Sequence, residues 1–280
     1  MTTMRGIDVS EHQGNIDWAK VKSGGAVEFA ILRAGYGKYV KQKDKKFEHN
    51  YAGCVENNIP CGAYWFSYAT NPSEAKQEAS CFIEILKGKK FQMPVYIDIE
   101  DSQSYDKSTG LKKYTVKYTS MPQKQLCEIA QVFCNELEKA GYFCGIYSYR
   151  SLMNMFDDYT KNRYAAWIAE LGKDNYKYQH GMWQHSWTGK IDGISGDVDM
   201  DECYVDYPSI MKQRYLNGYR NFDVNGDGLV TMLDASMVLK EYANGIASGE
   251  RPDVKYDVNG DGDVNEQDVI RILRLVAEIE

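Results

Sequence analysis

The run Val95-Tyr96-Ile97-Asp98-Ile99-Glu100-Asp101 sets two carboxylates two residues apart inside a stretch suited to a strand. On an extended strand, residues i and i+2 share a face, with Cα atoms about 7 Å apart. Carboxylates that close repel, and their proton affinities separate: one keeps its proton as an acid while the other stays ionised. Breaking a glycosidic bond needs that combination, an acid for the leaving oxygen and a carboxylate opposite the charge that grows on the sugar. The alternation leaves Tyr96, Asp98 and Glu100 on one face and Val95, Ile97 and Ile99 on the other. That pattern weakens the plainer reading of strand-end acids that cap helices or pair with Arg33. Further acids stand in other short apolar runs: Asp8 early in the chain, and Asp197, Asp199 and Asp201 much later. A sugar site also needs flat apolar platforms. Strand ends supply Tyr36, Tyr64, Trp65, Phe66, Tyr68, Tyr147, Tyr149, Trp167, Trp183 and Trp187, of which a minority can face a groove. Tyr36, Tyr64, Trp65, Tyr147 and Trp167, with Arg33, are the candidates for sugar contacts.

A second chemistry sits near the C-terminal end. Segments beginning at Asp223 and Asp257 repeat DVNGDGxVxxxD with a spacing of 34 residues. In the first, Asp223, Asn225, Asp227, Thr231 and Asp234 put side-chain oxygens at loop positions 1, 3, 5, 9 and 12, and Leu229 offers its carbonyl at position 7. In the second, Asp257, Asn259, Asp261, Asn265 and Asp268 do the same, with Asp263 at position 7. With Gly at position 6 for the sharp turn, this is the ligand order of an EF-hand calcium loop. Two copies predict two Ca2+ ions in a small module separate from everything before Asp223.

Charge separates the same two regions. Of 40 acidic and 33 basic residues, 13 and 5 lie from Phe222 onward, which leaves 27 against 28 in the preceding 221 residues. Nearly all of the net charge of −7 therefore belongs to the calcium module. No basic run suggests a nucleic-acid partner.

The elements that must position the paired acids follow from the apolar pattern. Short apolar runs at 6–10, 28–35, 60–68, 93–101, 142–149, 164–171, 181–186 and 197–203 read as eight strands. Helical stretches at 16–22, 44–57, 73–86 and 122–139 separate them; in the last, Leu126, Ile129, Ala130, Phe133 and Leu137 follow the 3.6-residue period. Pro122 and Gly141 punctuate its ends. Strand alternating with helix predicts a parallel sheet, and eight strands in this length predict an α/β fold, a closed (β/α)8-type barrel. The connections at 172–180 and 187–196 are too short and Gly-rich for full helices, so the second half should be irregular. In such a barrel the reacting groups lie at the C-terminal ends of the strands, and the acids read there are Asp8, Asp98 and Glu100, with Asp197, Asp199 and Asp201 on the eighth strand. A closing helix at about 207–215 and a tether follow. The expected domains are 1–212 for the barrel, 213–221 for a linker and 222–280 for a small all-α calcium-binding domain.

The 280 residues, 43% hydrophobic and 26% charged, hold ample material for a core. No stretch approaches the ~18 apolar residues of a membrane span, and the first ten residues carry no signal-peptide core. That abrupt start fits a mature domain whose leader has been removed as well as it fits a cytosolic protein. Seven cysteines, with no Cys-x-x-Cys pair, read as buried free thiols, with a Cys54–Cys61 pairing left open.

The segments GIDVSEHQGNIDW, ILRAGYG, Asp44-x-x-Phe47-x-x-Asn50, GAYWFSYA, YIDIED, GIYSY, AAWIAEL, WQHS and GDVDMD, in that order, resemble glycoside hydrolase family 25, the Chalaropsis-type lysozymes, over about residues 4–210. The resemblance implies an irregular α/β barrel that cleaves the β-1,4 bond between N-acetylmuramic acid and N-acetylglucosamine in bacterial peptidoglycan, with retention and without a cofactor. It implies that Glu100 is the general acid/base. Asp98 becomes the partner carboxylate, as nucleophile or as stabiliser of an oxazolinium formed by the substrate's acetamido group. Asp8 and Asp199 become supporting acids. The sequence departs at Trp65, where a His is frequent, and at Asp197, where Asn is common. The C-terminal module resembles a type I dockerin, with Asp at position 12 and a short helix after each loop. Val238, Leu239, Tyr242, Ile272, Leu273 and Leu275 are its expected apolar helix faces. A dockerin implies a cohesin domain of a scaffolding protein as partner and an extracellular or cell-surface location. A non-catalytic glycan-binding barrel displayed by the dockerin is the alternative; the full set of acids argues against it.

Overall fold

In a computed structural model, residues 3–105, 112–219, 222–227 and 229–277 are described. The chain divides into two compact units, Met1–Gly218 and Tyr219–Glu280. The first is a closed eight-stranded barrel. Its strands are β1 (Met4–Val9), β2 (Phe29–Tyr36), β3 (Cys61–Phe66), β4 (Val95–Asp98), β7 (Cys144–Tyr149), β8 (Ala165–Ala169), β9 (Met182–Gly189) and β10 (Val198–Cys203). They close in the order β1-β10-β9-β8-β7-β4-β3-β2. All eight expected strands form, and the pairs from β1 through β9 are parallel.

The eighth strand departs from the expected parallel sheet. β10 runs antiparallel to both β9 and β1. A parallel return needs a crossover of a dozen or more residues, whereas eight residues containing Gly193 and Gly196 at positive φ can only make a hairpin. The reversal brings the start of β10, not its end, to the mouth of the barrel. A second difference is the hairpin β5 (Ser102–Tyr105) and β6 (Lys112–Val116), inserted between β4 and the next helix.

Helices α1 (Trp18–Ser23), α2 (Phe47–Glu56), α3 (Pro72–Leu86) and α4 (Gln123–Lys139) cover the barrel at the expected places, followed by the short α5 (Arg150–Met153) and α6 (Asp158–Arg163) and by α7 (Tyr207–Gln213). Sequence sets these ends locally: the Asn71 side chain accepts from Glu74 N to cap α3, and Pro72 starts it. Phe82 on α3 and Phe133 on α4 are fully buried and meet at 6.1 Å between ring centroids. Each contributes about 1.5–3 kcal/mol by burial. The seven cysteines are free and buried, as their apolar contexts imply. The segment expected to be a tether is partly stitched into the barrel. Asn217, fully buried, exchanges backbone or side-chain hydrogen bonds with Phe91, Met93, Gly141 and Phe143.

One buried acid ties α3 to the barrel. Glu78 accepts from Ser67 Oγ at 2.6 Å and Tyr68 N at 2.9 Å, while Tyr118 OH donates to Ser67 Oγ at 3.1 Å. Burial raises the Glu78 pKa from 4.5 to about 7, against the pull of those two hydrogen bonds. A carboxyl that binds its proton more tightly when folded favours folding below pH 4.5 and loses that contribution as pH rises through 7. Glu78→Gln, which keeps the acceptor for Tyr68, is expected to flatten the fall in Tm between acid and mildly alkaline pH, an effect on the order of 3 kcal/mol. Thermal melts of the calcium-saturated chain across that range test it; parallel curves for the two proteins refute it.

The second unit pairs α8 (Met232–Ser248) with α9 (Glu266–Ala277). The first of these spans 17 residues, so the expectation of a short helix after each loop fails there. Val238 and Ile272 are fully buried, packed with Ala235, Tyr256 and Val258. Leu239, expected in the core, is 50% exposed. So small a core needs further support.

Candidate active site and calcium loops

A cavity of about 220 Å³ opens at the mouth of the barrel, lined by Asp8, Arg33, Tyr64, Phe66, Asp98, Glu100, Tyr147, Trp167, Gln184 and Asp199, together with Ser10, His12 and Gln13 from the loop after β1. Register explains the gathering. Asp98 ends β4 between Phe66 of β3 and Tyr147 of β7, and Asp8 of β1 lies opposite Asp199 of the reversed β10. Trp167 forms the apolar floor, with ring centroids 4.4 Å from Tyr147, 5.2 Å from Tyr96 and 6.1 Å from Tyr64.

The acids share one electrostatic condition: burial, which Arg33 offsets only in part at Asp98. Burial raises the Asp98 pKa well above the carboxylate range, and the charge and hydrogen bond of Glu100 raise it further. Burial raises Glu100 too, while its hydrogen bond with Asp98 pulls the other way. The two therefore hold a proton between them, and the titration belongs to the pair. Asp98 is the deeper member, 3% exposed, whereas Glu100 is half-buried toward the opening. Asp8 is raised by burial first, then by Asp201 and Asp199, and Asp199 is pushed up to about 6 by burial. Arg33 does not pair with the strand-end acids. Its Nε donates to Asp44 at 2.7 Å and its guanidinium reaches Glu11 at 3.3 Å.

Of the residues expected to touch sugar, Tyr64, Tyr147, Trp167 and Arg33 line the cavity. Trp65 does not. Strand alternation turns it outward between Tyr64 and Phe66. It is fully buried, donating from Nε1 to the Gly37 carbonyl at 3.0 Å and packing 5.6 Å from Phe82. Gly35 makes room for it, since a Cβ there would come within 2.6 Å of the indole. Tyr36 stands at the end of β2, opposite Phe66, with its ring edge-on to Tyr68 at 6.3 Å, and is not among the lining residues. Sequence reasoning missed Ser10, His12, Gln13 and Gln184 as site residues, and named Phe66 only among the strand-end aromatics. Gln184 joins the two sides of the cavity: its Nε2 donates to Asp8 at 2.7 Å, and its Oε1 accepts from Tyr147 OH at 2.8 Å. Its place on an inward-facing strand position within WQHS was the available signal.

In the second unit the two loops fold alike. Asn225 Nδ2 and Asn259 Nδ2 each donate to the Asp two residues on, Asp227 or Asp261, at 3.0 Å. Asp234 and Asp268, both fully buried, accept from the backbone N–H groups of loop positions 3 and 9. Thr231 also caps α8, accepting from Leu233 N at 3.2 Å. Among the described residues no three His, Cys or acidic side chains form a metal cluster by themselves. An ion here therefore depends on the mixed oxygen set of Asp, Asn, Thr and backbone carbonyl that a calcium loop offers. Burial raises the Asp268 pKa, a cost that a bound cation would reverse. The donor set fits calcium.

A family profile of glycosyl hydrolases family 25 matches residues 7–194. The chain belongs to that family. Family 25 membership makes the barrel a glycoside hydrolase of the lysozyme kind, and a dockerin type I domain matches residues 221–276. Lysozyme M1 of Streptomyces globisporus is 30% identical over 211 residues, which cover 71% of this chain and 67% of that protein. The autolytic lysozyme of Clostridium acetobutylicum is 27% identical over 203 residues, 71% of this chain and 55% of its own length. Among solved structures, the bacterial lysozyme from Streptomyces coelicolor superposes with a TM-score of 0.60 at 26% identity, over 73% of this chain and 94% of that one. The autolysin LytC of Streptococcus pneumoniae, solved with a synthetic peptidoglycan ligand, gives 0.61 at 26% identity, and the match spans about half of it, 47%. Among the described residues no helix is long and apolar enough to cross a membrane.

Proposed function

We propose that this family 25 barrel, residues 1–212, cleaves the β-1,4 bond between N-acetylmuramic acid and N-acetylglucosamine with retention, outside the cell, and that residues 222–280 attach it to a scaffold. The observation that carries this reading is the Asp98–Glu100 pair, in mutual contact at an open cavity, where burial raises both carboxyls and so favours a shared proton. Glu100, nearer the mouth, delivers that proton to the leaving oxygen. Asp98 is then left ionised, facing the positive charge on the sugar or on the oxazolinium formed by the substrate's own acetamido group. Asp8 and Asp199 complete the acid wall. Tyr64, Tyr147 and Trp167 shape the apolar floor against which a pyranose packs, and Arg33 lines its edge.

Two carboxyls in contact leave no room for the water that an inverting enzyme holds between them. The first product is therefore expected to be the β anomer. Proton NMR of fresh product decides this, and an initial α signal would exclude it.

In the dockerin, Asp223, Asn225, Asp227, Thr231 and Asp234 with the Leu229 carbonyl would hold one Ca2+. Asp257, Asn259, Asp261, Asn265 and Asp268 with the Asp263 carbonyl would hold another. The ions supply positive charge beside buried Asp268, whose pKa burial raises, and a cohesin domain is the proposed partner.

A further inference from the structure

A second pair of acids stands beside Asp98 and Glu100, and the reaction as proposed leaves one of its members unused. Asp201 follows Asp199 by two residues on β10, so it faces the same way, one step further from the mouth. It is 1% exposed. Its Oδ1 accepts from the Trp167 indole at 2.8 Å, while Oδ2 is buried with no hydrogen-bond donor among the described residues. Asp8, across the sheet on β1, is the acid that faces it. Asp8 in turn accepts from Gln184 Nε2 at 2.7 Å. That amide cannot flip, because its Oε1 already takes the Tyr147 hydroxyl at 2.8 Å and the Trp187 indole at 3.1 Å. Each acid thus has one oxygen on a neutral donor, and the two acids are within hydrogen-bond reach of each other.

Among the described residues no Lys or Arg is paired with Asp8 or Asp201. Asp199 faces them from β10, Asp98 and Glu100 from the end of β4, Tyr64 from β3 and Tyr147 from β7. Arg33, the Lys or Arg that lines the cavity, is held by Asp44 and Glu11. A buried carboxylate oxygen without a donor costs far more ionised than protonated.

We infer that Asp201 is a positioning residue: it shares one proton with Asp8, and this bridge fixes both the Asp8 carboxylate and, through Trp167, the sugar platform. Burial raises the proton affinity of both acids, Asp201 and Asp199 raise that of Asp8 further, and the hydrogen bond between Asp8 and Asp201 is the contact the bridge requires. The bridge also keeps the Asp8–Asp201 pair at a single negative charge, so the Asp98–Glu100 proton faces one anion fewer. The inference rests on the proposed reaction, but its main readout does not.

Infrared spectra of the full chain labelled with ¹³C-aspartate, at neutral pH, are expected to show a carbonyl band of protonated aspartic acid. One component of that band should vanish in Asp8→Asn and in Asp201→Asn, and persist in Asp98→Asn and Glu100→Gln, which instead alter the separate component from the proton shared by Asp98 and Glu100. Absence of the whole band from the wild-type spectrum overturns the inference without need of any variant, and so does survival of the first component in Asp201→Asn. In turnover, Asp201→Asn keeps an acceptor for Trp167 and gives Asp8 a fixed donor. It should retain kcat within ~10-fold, whereas Asp201→Leu should lose at least ~30-fold in kcat with KM little changed. Equal losses in the two variants would mark a merely structural role. Should Glu100→Gln keep its turnover, the reaction assignment falls while the band assignment stands.

Discussion

Glu100→Gln is expected to lower the rate of bond cleavage in purified cell walls by at least ~10²-fold, the usual worth of a positioned general acid. The amide keeps the shape and a hydrogen bond to Asp98 but has no proton to give. Binding of wall fragments should persist, since Tyr64, Tyr147 and Trp167 are untouched. The pH dependence carries a sign as well. Acid catalysis needs the protonated form, so wild-type activity must fall as rising pH strips the pair of its proton. Because burial raises both members, that loss comes at higher pH than for a solvated glutamate. Release of reducing sugar measures the rate, and binding of labelled fragments measures retention. A variant with near wild-type turnover would sink the role given to Glu100. A wild-type protein that binds walls without releasing sugar would favour the non-catalytic reading instead.

Much of this site was legible because its chemistry is local. Asp98 and Glu100 share a face by strand periodicity alone, and their neighbours Val95, Ile97 and Ile99 mark the other face. What stayed hidden depends on partners distant in the chain. Alternation sets Trp65 on the face opposite Tyr64 and Phe66, but the space that receives it is made by Gly35, thirty residues earlier, and by Phe82 on α3, which a strand-end position does not reveal. Asp199 was placed correctly for an incomplete reason: the C-terminal-end rule holds for parallel strands, and β10 reaches the mouth only because its hairpin reverses it. Gln184 became a site residue through donors on β7 and an acceptor on β1, a set that only barrel closure brings together. In the calcium unit, ligand order was plain in the sequence, but the length of α8 was not. Its capping box at Thr231 and Asp234 starts it, yet nothing before Gly249 in left-handed geometry stops it.

The largest effect expected in the dockerin comes from its first half. The two loops are near-identical in hydrogen bonding, but their exposed residues differ at positions 10 and 11: Met232 and Leu233 in one, Glu266 and Gln267 in the other. Met232 is 61% and Leu233 56% exposed, so neither serves the module's own core. Further along α8, Leu239 and Ile246 are also exposed, 7 and 14 residues after Met232, which sets all three on one face. A cohesin surface that fits this apolar row cannot fit the polar Glu266 and Gln267 equally well. Apolar side chains able to exclude water at an interface centre are the stronger anchors. Replacing Met232 and Leu233 together with Ser should therefore weaken cohesin binding by ~2 kcal/mol or more, about 30-fold in Kd. The same change at Glu266 and Gln267 should matter little. Chelation of calcium should remove binding altogether in every variant, because the loops and the small core around Val238 and Ile272 depend on the ions to hold the helices. Titration calorimetry against a cognate cohesin, with and without chelator, reads all three effects. Equal losses from the two double substitutions would show that the halves are equivalent. Undiminished binding in chelator would refute the calcium dependence.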